Sequence, residues 1–208
     1  MKILDFIWPH VGKVPPDETL TGELESIAAA SWGENTATFL DEARRLRDVE
    51  TGRKNAVETK SQIYLAALLA LIPILVSLTE NATLKGIMAF DTWYRIVGFV
   101  LFILGLAYGI GAFVSSFRAL TVRAFHRVDV GEIVNSGTRE DPLADLTKEI
   151  LKSVRQDRQN VNHKVSYVIV THQLLFRMAL LLLLALGLIT FASPASDLFE
   201  AVKSALCG

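Results

Sequence analysis

Three apolar stretches punctuate this chain, and the polar residues between them set its organisation. Ile63–Leu78 (IYLAALLALIPILVSL) and Ile96–Ser116 (IVGFVLFILGLAYGIGAFVSS) carry no charge, and Val165–Phe191 carries only Arg177. A helix needs about 18 or more apolar residues to cross the hydrocarbon of a bilayer. The second stretch meets that length and the first nearly does. None alternates apolar and polar residues as a barrel strand must, and in lipid only helices and closed barrels satisfy the backbone. The pattern predicts an all-α integral membrane protein with three transmembrane helices and long cytoplasmic helical extensions. The first two spans form a hairpin closed by Thr79–Thr92, which holds Glu80, Asn81, Lys85 and Asp91.

The polar stretches refine this layout. Val11–Pro16 is a turn-rich link, Asp17 or Thr19 can cap a short helix to about Ala30, and Gly33-Glu34-Asn35-Thr36 interrupts it. Phe39, Ala43, Leu46 and Val49 then keep helical spacing with no stop before Leu78, Gly52 notwithstanding. Phe117–Val130 is expected to prolong the second span, and Asp129–Asp141 (DVGEIVNSGTRED) reads as a loop. Asp141 followed by Pro142 is a strong helix start. Leu143, Leu146, Ile150, Val154, Val161 and Val165 line one face of that helix, opposite Lys148, Lys152, Arg155 and Asn160. Ser193-Pro194 is expected to end the last span, with Asp197–Ala205 a separate amphipathic segment. The resulting division is a cytoplasmic segment at 1–35, two spans with extensions at 36–128, and a loop, amphipathic helix and third span at 129–192. An external tail at 193–208 completes it. Met1–His10 has the apolar cluster Ile3, Leu4, Phe6, Ile7 and Trp8 but no secretory pattern. It is expected to pack on the cytoplasmic helices or to lie on the inner leaflet.

Charge fixes the expected orientation, because short cytoplasmic flanks collect Lys and Arg. Arg44, Arg45, Arg47, Arg53, Lys54 and Lys60 precede the first span, and nine basic residues from Arg118 to Lys164 lie between the second and third. The hairpin tip has only Lys85 and the tail only Lys203. The N-terminus is therefore expected inside and the C-terminus outside a plasma membrane. With 208 residues, 51% of them hydrophobic, and a mean hydropathy of +0.36, the chain suits neither a disordered segment nor an ordinary soluble domain. Its net charge of −1 gives no basic excess for nucleic acid. A lone cysteine, Cys207, makes no intramolecular disulfide and supports no cysteine-type metal site.

Candidate functional positions are few. Gly98, Gly105, Gly109, Ala112 and Ser116 are spaced 7, 4, 3 and 4 apart and share one helix face. Such a row lets another helix approach closely, within the chain or between subunits. Pro73 removes a backbone donor and is a candidate hinge. Counting inward from Pro194 at about 1.5 Å per residue, Arg177 falls near the inner headgroups, where its stem can snorkel or guard an opening. Arg118 reaches the same expected level. There is no HExxH, GxSxG, GxxxxGK[ST] or GxGxxG, and the histidines lack metal-ligand spacing. The apolar stretches contain no Asp or Glu of the kind proton-coupled carriers use. No catalytic residue, metal or cofactor is assigned.

Two charged stretches carry a resemblance. Arg53-Lys54-Asn55-Ala56-Val57-Glu58-Thr59-Lys60 leads into the hairpin, and Asn160-Val161-Asn162-His163-Lys164 leads into a last span containing Phe176-Arg177. This layout, over about residues 40–189, resembles the small transmembrane effectors of bacterial anti-phage systems, the Pycsar-type effectors and the related SLATT proteins. Ser61 stands where those proteins have alanine after the pre-span lysine. The resemblance implies an oligomer in the bacterial inner membrane that disrupts the bilayer on a cytoplasmic signal of the cyclic-nucleotide type. A non-lytic membrane scaffold or sensor that recruits a cytoplasmic partner, or a small ion channel, fits the same physical layout.

Overall fold

A computed structural model describes residues 8–12, 17–80, 92–121 and 130–207. Among these residues all regular structure is helical. Three helices contain stretches long and apolar enough to cross a membrane: Gly33–Leu75, Trp93–Leu120 and Pro142–Leu188.

Helix α1, Leu20–Ala29, opens at Thr19. Asp17 Oδ1 accepts from both the Thr19 amide (3.1 Å) and the Thr19 hydroxyl (2.7 Å), tying the entry turn together. The expected break follows as a single 3-10 turn, Gly33–Asn35. Gly33 has φ +52°, a left-handed conformation that costs glycine little and other residues more. Thr36 Oγ1 donates to the Gly33 carbonyl at 2.6 Å, and α2 begins there.

Helix α2, Thr36–Glu80, runs 45 residues without a break through Gly52 and Pro73. A mid-helix glycine costs only about 1 kcal/mol relative to alanine. Helix α3, Trp93–Leu120, closes at Leu120, where the Thr121 amide donates to the Arg118 carbonyl at 3.3 Å; residues 122–129, over which the sequence predicts its continuation, lie outside the described residues. The stretch read as a loop holds a short helix, α4, Val130–Ser136. Its glycines and polar residues resemble turn punctuation, but Glu132 suits a helix N-terminus and the Gly137 amide closes the last turn on the Ile133 carbonyl.

Helix α5, Pro142–Cys207, is a single 66-residue helix. Its start is as expected: Asp141 Oδ1 accepts from the Ala144 amide at 3.1 Å. Its end is not. Neither Ser193-Pro194 nor a separate segment at Asp197–Ala205 interrupts it, because a proline removes one amide donor and can bend a helix without stopping it.

The chain forms two compact units. One, here called the apolar unit, comprises Met1–His10, Ile63–Phe117 and Ile169–Gly208; the other, the polar unit, comprises Val11–Gln62 and Arg118–Val168. The apolar unit is built on Leu68, Ala112, Leu174 and Met178, with Leu71, Tyr108, Val170, Leu175 and Leu182 around them. The core of the polar unit is Leu40, Ala43, Ile150 and Val154, with Leu46, Leu146 and Leu151 around them.

Candidate functional site

In the apolar unit the small residues of α3 meet α5. Gly98 and Gly105 are buried and Gly109 is half-buried, while Ala112 and Ser116 expose nothing. A Cβ on Gly105 would lie 3.1 Å from Leu182 Cδ2, and one on Gly109 would lie 2.9 Å from Met178 Sδ. Ala112 packs in the cluster of Leu68, Leu174 and Met178. The row is thus a seat for the last helix of the same chain, close-fitting because side chains are missing from it. Ser116 Oγ is buried with no hydrogen-bond partner among the described residues. Elsewhere on α3, Ile96, Val100, Ile103, Ile110 and Val114 are exposed, as lipid-facing or partner-facing positions would be. Pro73 is exposed within the unbroken α2, and Arg177 is half-buried within α5.

The start of the described chain belongs to the same unit. The Trp8 ring stacks on Tyr108, with centroids 5.4 Å apart and planes 20° apart. Its Cζ2 lies only 2.9 Å from where a Cβ on Gly111 would be, beside Leu174 Cδ1. Pro9 is buried next to it. So Trp8 packs on the apolar helices rather than on the polar ones; residues 1–7, which hold the rest of the apolar cluster, lie outside the described residues.

In the polar unit, sequence reasoning missed the seam. The buried residues of α2 there are Thr36, Leu40, Ala43, Glu50, Val57 and Ser61, in steps of 4, 3, 7, 7 and 4. Those of α5 include Thr147, Ile150, Val154, Val161 and Lys164, in steps of 3, 4, 7 and 3. These are heptad positions, the spacing by which two helices keep one seam in contact. Several are polar, and the hydroxyls among them are satisfied locally. Ser61 Oγ donates to the Val57 carbonyl at 3.0 Å and Thr147 Oγ1 to the Leu143 carbonyl at 2.7 Å. With its hydroxyl folded back on the helix, Ser61 fills little more space than an alanine would.

The charged seam residues pair across the helices. Lys164 is 2% exposed, and its Nζ donates to Glu58 at 2.6 Å. Glu50, 6% exposed, accepts from Arg53 at 2.9 Å and from Arg158 Nε at 3.2 Å. Arg53 Nη2 also donates to Asn162 Oδ1 at 3.0 Å. The cross-helix partners are 106, 108 and 109 positions apart, so α2 and α5 run parallel in one register in this unit. Burying an ion costs several kcal/mol and its partner offsets that only in good geometry. Any other register would leave those charges mismatched. The stretches 53–60 and 160–164, far apart in sequence, therefore face one another through Arg53–Asn162 and Glu58–Lys164. The signal that could have found this seam is a seven-residue recurrence, Thr36, Ala43, Glu50, Val57, whose members are too polar or too small for hydropathy to register.

Arg155 makes a second polar cluster in this unit. It donates to Asp17 Oδ2 at 2.6 Å and Thr19 Oγ1 at 3.2 Å, and it pairs with Glu23. Hydrogen bonds from Thr19 and then Arg155 hold the Asp17 carboxyl below its usual 3.8. Glu23 and Asp17 push the guanidinium of Arg155 further up. Arg118, exposed at the end of α3, belongs to the polar unit and not to the one that contains Arg177.

No group of His, Cys, Asp and Glu suited to a metal occurs among the described residues. No protein-family model, curated protein or solved structure matches the chain.

Proposed function

We propose that the protein is a membrane effector of bacterial anti-phage defence. On this reading several copies assemble in the inner membrane, N-termini inside and C-termini outside. They permeabilise it when a cytoplasmic signal, a cyclic nucleotide or a molecule of like charge, alters the polar helices. The observation that carries the reading is the meeting of the 53–60 and 160–164 stretches in one seam. The resemblance to anti-phage effectors rests on those stretches, and their charged residues hold α2 against α5 in a single register. A seam whose register depends on charge pairs is one that an anionic ligand can loosen, by competing with Glu50 and Glu58 for Arg53, Arg158 and Lys164. Three helices enclose no water-filled path, so permeation needs several copies. In this scheme Gly105 and Gly109 keep the helices of each copy close, Pro73 gives α2 room to bend, and Arg118 and Arg177 sit toward the inner face.

The test is ion flux across liposomes containing the purified protein, before and after a panel of cyclic nucleotides. Nucleotide-triggered flux with weakened response in Lys164→Met is the expected result. Selective conductance without growth arrest on induced expression would replace this reading by an ion channel. Silence, with insertion and orientation verified, would replace it by a scaffold that recruits a cytoplasmic partner.

A further inference from the structure

We infer that Arg53, Arg158 and Asn162 form a binding site for a phosphate group. It deepens the ligand-gated reading above and rests on it for its consequence, though not for the site itself. The site starts from a buried carboxylate. Glu50 accepts from Arg53 Nη1 at 3.0 Å on Oε1 and at 2.9 Å on Oε2. Arg158 Nε donates to the same Oε1 at 3.2 Å. Two guanidiniums, one from α2 and one from α5, thus meet at a single oxygen. They set two positive charges against one negative. Lys54 and Asp157, their neighbours in sequence, are of opposite sign and leave that balance unchanged. Like charges held this close repel, and a second anion on their outer side relieves the excess.

Hydrogen bonding narrows the chemistry of that anion. The Glu50 carboxylate is engaged by both arginines, and Asn162 Oδ1 accepts from Arg53 Nη2 at 3.0 Å. The groups the network leaves over are donors: the Asn162 amide nitrogen, Arg53 Nε and the Nη groups of Arg158. Arg53 and Arg158 keep 42% and 51% of their side chains exposed, and Asn162 is exposed as well, so water reaches these donors. A cationic site of donors selects a ligand with negative charge and several acceptor oxygens. Phosphate presents such oxygens tetrahedrally, enough for groups from two helices. A carboxylate has two oxygens in one plane, the complement of a single guanidinium. Binding also has a consequence for the seam. A guanidinium turned toward phosphate leaves Glu50 with fewer donors, and Glu50 is buried.

The experiment titrates the full-length protein, in phospholipid-free maltoside micelles, with inorganic phosphate at constant ionic strength. Line broadening in phosphorus NMR reads binding, and circular dichroism verifies that each variant is folded. Saturable binding is expected, with acetate a far weaker competitor. Arg53→Gln and Arg158→Gln should each weaken it by about tenfold or more, the scale of a lost charged hydrogen bond. Arg47→Gln, which removes an exposed cation of α2 outside the network, should leave it within about twofold. Glu50→Gln removes the competing carboxylate and should tighten binding severalfold. Arg158→Gln binding as the parent does, an equal loss in Arg47→Gln, or acetate competing as well as phosphate would each overturn the site. Phosphatidylglycerol added to the micelles separates two sources of the same chemistry: displacement of phosphate assigns the site to a lipid headgroup, retention to a free ligand. Ion flux is scored separately. Phosphate binding without flux in liposomes keeps the site and removes the permeation reading, whereas ligand-triggered flux unchanged in Arg158→Gln removes the site from gating.

Discussion

The two units solve one problem, seating α5 against a neighbouring helix, by different physical means. In the polar unit the contact is charge-specific: Lys164 on Glu58, and Glu50 between Arg53 and Arg158. In the apolar unit it is shape-specific: Leu182 and Met178 seat where Gly105 and Gly109 have no side chain. The difference follows from the surroundings each suits. Water drives apolar faces together indiscriminately, so register must come from groups that are costly to mismatch. Lipid gives no such drive, since a leucine is as comfortable against a lipid tail as against another leucine, and contact must come from fit.

The comparison breaks most sharply if fit is removed. Gly105→Leu with Gly109→Leu is expected to separate α3 from α5 and, on the proposed function, to abolish flux and toxicity while membrane insertion persists. Unaltered assembly in that variant would show that shape does not govern the apolar unit. Alanine at Gly109 should be mild, because the atom it would crowd is the Met178 sulfur near the end of a flexible side chain, and alanine at Gly105 costs more, because Leu182 Cγ and Cδ2 must both give by a few tenths of an ångström.

Removing one partner in the polar unit is next in size. Glu58→Ala leaves the buried Lys164 without its carboxylate and should cost about 3 kcal/mol, the lower end of the range for breaking a buried pair because Glu58 itself is partly exposed. Thermal unfolding in detergent measures it. The double change Glu58→Leu, Lys164→Met should recover much of that stability while blunting any response to ligand. A double variant as unstable as the single one would mean that packing, not charge, sets the seam.

A smaller effect is expected at the edge of the polar unit. Asp17 has a depressed pKa in the fold, so its contribution is present above the unfolded value near 3.8 and is lost as pH falls through the lower folded value. Cleavage of α1 by an acid-active protease should accelerate only below about pH 4. Arg155→Ala should show the faster cleavage at any pH the protease tolerates; equal rates in parent and variant would remove Arg155 from the attachment. Ser116→Ala, which deletes a hydroxyl with no partner among the described residues, should change stability by no more than about 1 kcal/mol, in the favourable direction. A larger loss would show that the hydroxyl has a partner in the membrane.

Much of the fold was legible because its signals are local. The three apolar stretches, the break at Gly33 and the Asp141-Pro142 start are each written within a few residues. Pro194 misled, since local chemistry permits both a stop and a continued helix there. The pattern at 129–141 misled likewise, because glycine and polar residues mark turns and also fit the short helix α4. The polar seam was illegible for a deeper reason. Its positions are Thr36, Glu50, Ser61, Thr147 and Lys164, residues that hydropathy assigns to the surface. They are buried because their hydroxyls return to their own helix or their charges meet a partner about 108 positions away. No local window contains that partner. The small-residue row on α3 was legible as a contact face, but whether its occupant was α5 or another subunit depended on packing that no spacing encodes.

Helix α1 has no buried residue. The described long-range hydrogen bonds of α1 and its entry turn are those of Arg155 with Asp17, Thr19 and Glu23, all reachable by solvent. Adhesion of that kind belongs partly to the surrounding electrolyte. Near-surface attractions weaken as salt shortens the Debye length from about 30 Å at 0.01 M to about 8 Å at physiological ionic strength. A change in ionic strength would thus act on the protein, loosening or tightening α1 as the medium becomes saltier or more dilute.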